Sequence, residues 1–485
     1  MRRLANKDPL VIEEGGRHLG AAAFRETVDR GARWLRAAGI DRSGLLADNG
    51  ADWVIADAAL DRGGIVNVPL PDQFSFPQLA HAVDDVGVDA VLADPGRRSL
   101  ARELGFSDSG CLPGTDLALL RRARPTPAVP LPPGTIKVTY TSGSTAAPKG
   151  VCLGREALDS VAGSLSMLMR SLGIRRHLVL LPLSTLLENI AGVTVPFRSG
   201  ACCVVPPASV TGVTATRVDP TRFLETIAEL RPESLILVPQ LLQALVHGVE
   251  RGWKAPSSLS FIAVGGARLP RDLLEQAREA GLPCYEGYGL SECASVVALN
   301  TPAADRAGSV GRPLPHARVR VDDRGEIRVA GAVMSGYTGG GPAGEEIATG
   351  DLGAFDDDGF LYVHGRRKNM FITAFGRNVC PEWIEAELLS SPAVAQAFAA
   401  GEARPWIAAV ITPAPGASAA DISAAVHTAN ARLPDYAKVQ RWLLADEPFS
   451  FDNGLLTANG RLRRAAIGEH YQQAIHQLYC DALAS

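Results

Sequence analysis

One stretch of the sequence decides the fold: Thr139-Tyr140-Thr141-Ser142-Gly143-Ser144-Thr145-Ala146-Ala147-Pro148-Lys149-Gly150. It follows a run, 135–139, that is typical of a β-strand. Its hydroxyls, two glycines and one lysine offer backbone N–H groups, O–H donors and a positive charge, which together bind phosphates. Lys149 follows proline and precedes glycine, so this is not a Walker A loop. We predict a phosphate-binding loop of another kind; the alternative is a solvated Ser/Thr loop.

The composition excludes several classes of protein. A chain of 485 residues predicts two to four domain-sized units. Its net charge of −4 argues against binding to nucleic acid or to an acidic membrane surface. Of its 48 basic residues, 6 are lysine and 42 are arginine, so each lysine is of interest. The sequence contains no signal peptide pattern and no long apolar run, and its 8 cysteines contain no C-x-x-C pair. We therefore expect a cytoplasmic protein with reduced thiols and no membrane span.

The first half of the chain alternates short apolar strands with helical patterns. Such alternation is typical of parallel sheets that are covered by helices on both faces. The sequence therefore predicts an α/β fold with a large N-terminal domain of doubly wound sheets. The predicted helices are 24–38, 53–60, 76–86 and 220–230, and the predicted strands are 44–47, 65–70, 88–93, 135–139, 234–238 and 261–264.

The pattern changes from about Gly308 onward. Short glycine-rich strands with almost no helix predict a small β-barrel-like subdomain. A basic, loop-like stretch at 365–369 then precedes a small α+β unit. We predict an N-terminal domain over 1–367 and a small C-terminal domain over 368–485. The Pro-rich stretch 125–133 predicts a linker between subdomains.

The loop at 139–150 resembles the signature TSGSTGxPKG of the adenylate-forming enzymes: acyl-CoA synthetases, luciferases and adenylation domains of peptide synthetases. It departs once, at Ala146, where the family has glycine. Further segments resemble family motifs in the family order, and the chain looks most like the long-chain acyl-CoA synthetases. These segments are Gly265-Gly266-Ala267, Tyr285-Glu286-Gly287-Tyr288-Gly289-Leu290-Ser291-Glu292, Thr349-Gly350-Asp351, Gly365-Arg366-Arg367-Lys368-Asn369, Gly376-Arg377-Asn378-Val379-Cys380-Pro381-Glu382 and Arg461-Leu462-Arg463-Arg464.

The resemblance implies that the N-terminal domain, 1–367, binds ATP and the acid, and that the C-terminal domain, 368–485, is mobile. It also implies functional residues. It implies a catalytic role for Lys149, Glu292, Arg461 and Thr145, and Glu292 would also hold Mg²⁺. It makes Lys368 the hinge about which the C-terminal domain turns, and it places Gly376 on a loop beside the thiol tunnel. The residues that it implies for ATP or AMP binding are Thr141, Ser142, Gly143, Ser144, Thr145, Lys149, Gly265, Gly266, Ala267, Glu286, Gly287, Tyr288, Ser291, Asp351 and Arg366.

The activity that the resemblance implies is ATP-dependent activation of a carboxylic acid. The acid would form an acyl-adenylate with release of pyrophosphate, and a thiol of CoA or of a carrier-protein phosphopantetheine would then take the acyl group. Two anions must meet in the first step, so the site needs positive charge and in-line positioning. The implied partners are a small carboxylic acid and, in the second case, an acyl or peptidyl carrier protein acting in trans.

Arg461 is the main departure from the family. The matching position in the family is a lysine that bridges the attacking carboxylate and the α-phosphate. Arginine keeps the charge, but its planar fork differs in geometry from a compact ammonium. Three outcomes remain open: a slowed first step, full substitution by Arg461, or a nucleotide-binding homologue without adenylation. We favour a working enzyme because Lys149, Glu292, Asp351 and Arg366 are retained.

An apolar acid pocket is also implied by the resemblance. The residues that would line it are Thr185, Leu186, Val238 and Leu241, and their largely aliphatic character favours a fatty or other apolar acid. Amino-acid-activating relatives carry an aspartate in the first region, and this chain has no clear match. Glu188 is either a substitute for it or the start of a helix. An amino- or aryl-acid adenylating enzyme that loads a carrier protein stays the alternative.

Overall fold

The structure, a computed structural model, describes residues 9–123, 129–141, 148–214, 217–457 and 460–481. Two large mixed sheets covered by helices form most of it, and a small α+β unit follows residue 368. The α/β fold predicted from the sequence is therefore confirmed. No helix in the described ranges is long and apolar enough to cross a membrane. Part of the predicted linker, 124–128, lies outside the described residues.

The strands are numbered in chain order. Those before residue 300 are β1 (Leu10–Glu14), β2 (Arg17–Gly20), β3 (Arg42–Leu46), β4 (Val66–Pro69), β5 (Ala90–Ala93), β6 (Ser107–Cys111), β7 (Ala118–Arg121), β8 (Thr135–Thr141), β9 (Lys149–Gly154), β10 (Arg176–Leu178), β11 (Cys202–Val204), β12 (Ser234–Leu237), β13 (Phe261–Val264), β14 (Cys284–Leu290) and β15 (Ser295–Leu299). Those after it are β16 (Arg312–Pro313), β17 (Ala317–Val321), β18 (Glu326–Gly331), β19 (Gly336–Tyr337), β20 (Glu346–Phe355), β21 (Leu361–Arg366), β22 (Phe371–Ile372), β23 (Asn378–Val379), β24 (Val394–Ala400), β25 (Ile407–Pro413) and β26 (Val439–Leu444).

The helices are numbered in the same way. They are α1 (Ala21–Ala37), α2 (Ala51–Gly63), α3 (Phe76–Val86), α4 (Arg98–Glu103), α5 (Arg155–Ser171), α6 (Val195–Ser199), α7 (Ala208–Thr211), α8 (Pro220–Leu230), α9 (Pro239–Glu250), α10 (Arg271–Glu279), α11 (Pro381–Leu389), α12 (Ala419–Arg432), α13 (Arg464–His470) and α14 (Gln472–Asp481). A π-helix at Glu188–Thr194 precedes α6 directly.

Two sheets carry the N-terminal region. One has eight strands in the order β19-β9-β8-β4-β3-β5-β7-β6, and its centre, β8-β4-β3-β5, is parallel. The other has nine strands in the order β16-β15-β14-β13-β12-β10-β11-β1-β2, with a parallel block from β14 to β1. Buried aliphatic clusters lie on the faces of both sheets, which is why their strands are nearly continuous apolar runs.

The glycine-rich subdomain is a four-stranded antiparallel sheet in the order β17-β18-β20-β21. The stretch 365–369, expected to be a loop, instead contains the end of β21 and a 3₁₀ turn at Arg367–Asn369. Gly365 and Arg366 extend the strand because they pair with Leu352 and Asp351 on β20. The domain boundary at 367/368 coincides with this turn and stays a prediction.

Local sequence signals explain several elements. Asp219 is the N-cap of α8, because its side chain accepts hydrogen bonds from the N–H groups of Thr221 and Arg222. A capping box formed by Ser75 and Gln78 begins α3. Gly289 allows β14 and β15 to approach, because a Cβ there would lie 1.7 Å from the carbonyl oxygen of Ser295. That close hairpin brings Glu292, in the turn between the strands, to the edge of the sheet.

Candidate active site

The candidate site lies at the carboxyl ends of β12, β13 and β14. In parallel sheets this edge is the usual place for ligands. The residues there, Val238, Gly265 and Tyr288, line one continuous cavity of about 2090 Å³. Lys368 and Arg461, from the C-terminal region, line the same cavity. The site is therefore enclosed by both parts of the chain.

Asp351 is the buried carboxylate of the site. One of its oxygens, Oδ2, accepts a hydrogen bond of 2.6 Å from the Tyr288 hydroxyl, and Oδ1 lies 2.7 Å from Nε of Arg366. Burial raises the pKa of Asp351, and the Arg366 guanidinium opposes that shift. A carboxylate has about four lone-pair sites, so both oxygens can still accept from ribose hydroxyls. The position fits the ribose role implied by the resemblance.

Glu292 and Lys149 approach each other around Tyr337. The Tyr337 hydroxyl donates to Oε1 of Glu292 at 3.0 Å, and Nζ of Lys149 lies 5.7 Å from the centre of the Tyr337 ring. No group of three or more metal-ligating side chains occurs within the described ranges. Mg²⁺ in nucleotide sites is commonly held by one or two carboxylates plus phosphate oxygens. A single carboxylate beside a lysine fits that pattern.

Four cations face these two carboxylates. Burial, together with the charges of Arg366, Lys149 and Arg461, lowers the pKa of Lys368. Desolvation by the surrounding protein, followed by repulsion from Arg366, lowers the pKa of Arg461, although the residue keeps an exposed surface. The Arg461 guanidinium also donates to the carbonyl oxygen of Gly266 at 3.1 Å. Because the positive charges of these side chains repel one another, the cluster is suited to bind a polyanion such as a nucleoside triphosphate.

The loop after β13 forms a narrow slot beside β14. A Cβ on Gly265 would lie 3.2 Å from the carbonyl oxygen of Gly287, and Gly266 has a φ of +80°, so both positions favour glycine. Ala267, which follows them, also lines the cavity. Burial raises the pKa of Glu286 to about 8, and the charge of Arg268 opposes that shift. Glu286 is therefore largely protonated at neutral pH.

The residues predicted to form an acid pocket lie in the same cavity, and their role stays a prediction. Thr185, Leu186, Val238 and Leu241 all line the cavity. The first two precede the π-helix, which a buried network holds in place: Nζ of Lys137 contacts Asn189, and Asp57 lies 2.7 Å from the same ammonium. Glu188 is fully buried at the start of the π-helix, where Oε1 accepts from the Leu180 N–H at 3.1 Å. The helix-start interpretation of Glu188 agrees with this placement.

One of the predicted site residues does not line the cavity, and four others lie outside the described residues. Gly376 lies on an exposed turn at a φ of +71°, with open space around its Cα, and does not line the cavity. Thr141 and Ser291 do line it. Four predicted phosphate-binding residues lie outside the described residues: Ser142, Gly143, Ser144 and Thr145.

The sequence patterns do not predict the residues that contact the chain on either side of the predicted phosphate loop. Asp85 accepts from the Tyr140 hydroxyl at 2.7 Å and from the Thr338 hydroxyl at 2.5 Å. His81 contacts the carbonyl oxygen of Pro148 at 3.0 Å. Tyr337 was also missed. These residues come from α3 and β19, far from the loop in sequence, so no local motif could have connected them.

Comparison with protein families shows to which family this chain belongs. Residues 2–338 match the family model described as AMP-binding enzyme, and residues 368–482 match that of the AMP-binding enzyme C-terminal domain. The chain belongs to the AMP-binding enzyme family, so the resemblance seen in its motifs is confirmed.

Two relatives are similar to this chain over different parts of its length. Feruloyl-CoA synthase from Amycolatopsis sp is 30% identical over 441 residues, covering 84% of this chain and 86% of that enzyme. Long-chain-fatty-acid–CoA ligase FadD15 from Mycobacterium bovis is 36% identical over 246 residues. That match covers 44% of this chain and only 41% of FadD15.

Solved structures share the fold. The anthranilate CoA ligase AuaEII, in complex with anthranoyl-AMP, has a TM-score of 0.78 at 20% identity and covers 96% of this chain and 94% of its own. o-Succinylbenzoate CoA synthetase (MenE) from Bacillus subtilis, in complex with OSB-AMP, has a TM-score of 0.76 at 24% identity, with 96% coverage of each chain. At these identities the similarity concerns the fold.

Proposed function

We propose that this protein is an ATP-dependent acid–CoA ligase that works through an acyl-adenylate. The observation that carries the proposal is the cation cluster of Lys149, Arg366, Lys368 and Arg461, which faces Glu292 and Asp351 and opens into an apolar cavity. This arrangement provides a polyphosphate site beside an acyl site. The CoA ligases among its relatives support the same activity.

In the first step a carboxylate oxygen of the acid attacks the α-phosphorus of ATP, and pyrophosphate leaves with the electron pair of the broken P–O bond. Arg461 and Lys149 stabilise the negative charge that accumulates on the phosphate oxygens. Asp351 and Arg366 bind the ribose, and Gly265, Gly266 and Gly287 form the slot for the adenine. Residues 142–147, which carry the rest of the predicted phosphate-binding motif, lie outside the described residues.

Glu292 is the residue that would hold Mg²⁺, whose charge would help to neutralise the triphosphate. Tyr337 fixes the carboxylate of Glu292 by its 3.0 Å hydrogen bond. In the second step the thiol of CoA attacks the acyl carbon, so AMP leaves and the thiol proton is released. The C-terminal domain would turn about Lys368 between the two steps, bringing Gly376 to the thiol.

The substrate that we propose is an apolar acid, either a fatty acid or an aryl acid with an extended substituent. The cavity continues from Val238 between the sheet and α5, where Leu165, Leu168 and Leu172 line it. Glu188, the acidic residue considered for pairing with an α-amine, is fully buried and is not among the described residues that line the cavity. We therefore expect apolar acids to be better substrates than amino acids.

The test is acid-dependent pyrophosphate release from ATP and Mg²⁺, with a panel of fatty, aryl and amino acids. Mass spectrometry should detect an acyl-AMP, and addition of CoA should convert it to the thioester with release of AMP. Calorimetry should detect ATP binding in parallel. ATP binding with no pyrophosphate release from any acid would refute the ligase and support a nucleotide-binding homologue.

A further inference from the structure

One lysine of the chain lies in the protein interior. Lys137, on β8, is one of only 6 lysines beside 42 arginines, and its side chain is 9% exposed. Its ammonium lies 2.7 Å from Oδ1 of Asp57 and donates to Oδ1 of Asn189. A buried charge is costly unless it is paired and hydrogen-bonded. A lysine at this position, in a chain that otherwise prefers arginine, favours a role for the compact ammonium.

Asp57, on α2, is the centre of a buried network of four side chains. Its Oδ1 also accepts a hydrogen bond of 2.6 Å from Nδ2 of Asn67 on β4, and its Oδ2 accepts one of 3.1 Å from Nδ2 of Asn189. Asn189, which is 1% exposed, therefore accepts from Lys137 and donates to Asp57, and both ends of its amide are fixed. We call Lys137, Asp57, Asn67 and Asn189 the lysine network.

The lysine network connects two elements that border the candidate site. Lys137, Thr139 and Thr141 alternate along β8, so their side chains share one face of the strand. Both threonines line the cavity, and the strand ends where the predicted phosphate loop begins. Asn189 belongs to the π-helix at 188–194. The network therefore holds the π-helix against the strand that leads to the phosphate loop.

The π-helix region forms one wall of the cavity. Leu187, Ala191 and Val195, which follow one another at intervals of four residues, all line it. Asn189 lies two residues from Leu187 and from Ala191, so it belongs to the opposite side of the helix. The apolar side thus faces the proposed acid, and the amide on the other side anchors the wall.

The shape of this wall depends on the π-helical winding. The N–H of Val195 bonds to the carbonyl oxygen of Ile190, five residues earlier, whereas an α-helix pairs residues four apart. If the segment closed into an ordinary α-helix, Leu187 would turn relative to Val195 and the cavity would change shape. Since π-helices are rare and occur frequently at functional sites, an anchor on Asn189 has a functional rationale.

We propose that the lysine network determines which acid the protein accepts, because Lys137 and Asp57 hold Asn189 and thereby keep the π-helical wall in its register. The proposal rests on the ligase function above and adds residues that control its acid specificity. Asn189 and Lys137 are positioning residues: neither is among the described residues that line the cavity, and both act through Leu187, Ala191 and Val195.

The primary test is Asn189→Ala, which releases the wall but leaves the ion pair of Lys137 with Asp57. The acids are straight-chain saturated acids of six, eight, ten, twelve and fourteen carbons, together with benzoic and cinnamic acids, and the readout is kcat/KM for pyrophosphate release. One methylene group in an apolar pocket is worth about tenfold or more. We therefore expect the ratio between the parent's best acid and the next acid in the panel to change by at least ~5-fold. The KM for ATP should stay within about twofold.

Asn67→Ala is the matched control. Asn67 is 2% exposed and donates to the same carboxylate of Asp57, but it lies on β4 rather than on the π-helix. This variant should leave the acid preference unchanged, even where it lowers the unfolding temperature.

Lys137→Met provides a second route to the same effect. It removes the ammonium that holds Asn189, while Asp57 keeps the hydrogen bonds from both asparagines. The acid preference should shift in the same direction as in Asn189→Ala. The double variant should shift no further than Asn189→Ala alone, because both changes break one contact.

Amide hydrogen exchange measures the anchoring without turnover. Exchange over residues 188–195 should be faster in Asn189→Ala than in the parent and unchanged in Asn67→Ala. Absence of turnover with every acid refutes the ligase function, while exchange and the calorimetric Kd ratios of the acids still decide the role of the network. Turnover with an unchanged acid preference in Asn189→Ala, or an equal change in Asn67→Ala, overturns that role and leaves the ligase function intact.

Discussion

The guanidinium of Arg461 donates a hydrogen bond of 3.1 Å to the carbonyl oxygen of Gly266. This contact joins the C-terminal part of the chain to the nucleotide loop across 195 residues of sequence. The same guanidinium is close enough to Asp351 and Glu292 for their charges to raise the pKa of Arg461 against the effect of burial. Arg461 therefore lies beside residues that are predicted to bind the nucleotide, and its catalytic role stays a prediction.

Replacing Arg461 by alanine should slow acyl-adenylate formation by about 10²–10³-fold, because a charge that stabilises the transition state is lost. Arg461→Lys should stay within about tenfold of the parent, since it keeps the charge in a more compact form. Single-turnover formation of acyl-AMP measures both effects. Arg441→Ala, at an exposed position on β26, is the control. Alanine at position 461 with undiminished turnover would contradict a catalytic role for Arg461.

Tyr288→Phe should raise the KM for ATP by about 3–10-fold and change kcat less. The variant removes the donor to Oδ2 of Asp351, a charge-assisted bond worth about 1.5–3 kcal/mol, and Arg366 still holds the other oxygen. Tyr479→Phe, which removes a hydroxyl bonded to two backbone carbonyls of the C-terminal unit, is the matched control. An equal rise of the KM for ATP in both variants would mean that Tyr288 acts only through stability.

Arg432 connects the two parts of the chain at a second place. It lies at the end of α12 and pairs with Asp272 in the first turn of α10, and it lies 3.7 Å from Glu387. We expect Arg432→Glu to slow acyl-adenylate formation by about 3–10-fold at low salt, because two like charges would then face each other in this arrangement of the domains. Thioester formation from added acyl-AMP should change less.

Restoring the attraction between positions 432 and 272 tests this ion pair directly. The double variant Arg432→Glu with Asp272→Arg should recover much of the lost rate, and high salt should reduce the difference between the single variant and the parent. Arg320→Glu disrupts an exposed pair with Glu346 inside one sheet and should leave the rate unchanged. A loss that persists at high salt and is not rescued would argue against the contact as a domain connection.

Local patterns predicted most of the fold. Helix 76–86 and strand 261–264 occur where they were expected, because each combines a clear apolar pattern with defined ends. The stretch 365–369 was assigned wrongly as a loop, since the pairing of Gly365 with Leu352 is a tertiary contact that its own sequence does not encode. Secondary-structure propensity depends on neighbours in the chain, whereas strand pairing depends on a partner that is distant in sequence.

The residues of the site differ in the same way: local motifs predict some of them, and only the tertiary structure reveals the others. Asp351, Glu292 and Arg461 could be predicted because each belongs to a recognisable motif. Tyr337 and Asp85 could not, since their partners lie 45 and 253 residues away. The contact between His177 and Ser234, which both line the cavity, could not be predicted either, because only the pairing of β10 with β12 brings these two residues together.

Glu286 should make the protein less stable as the pH rises. Burial raises the pKa of its carboxyl from 4.5 to about 8 in the folded state, whereas the unfolded state keeps the ordinary value. The folded state therefore binds the proton more tightly. The stabilisation is complete below pH 4.5 and is lost as the pH rises through 8, by on the order of 5 kcal/mol from this group.

The Glu286→Gln variant isolates that contribution, because a neutral amide of similar shape does not titrate. Thermal unfolding midpoints measured at pH 5.5, 6.5, 7.5 and 8.5 should fall more steeply in the parent than in the variant. Glu346→Gln, at a partly exposed carboxylate paired with Arg320, should keep the slope of the parent. Parallel pH profiles of the parent and Glu286→Gln would show that Glu286 is ionised in the folded protein, and the slot beside Gly287 would then carry a negative charge at neutral pH.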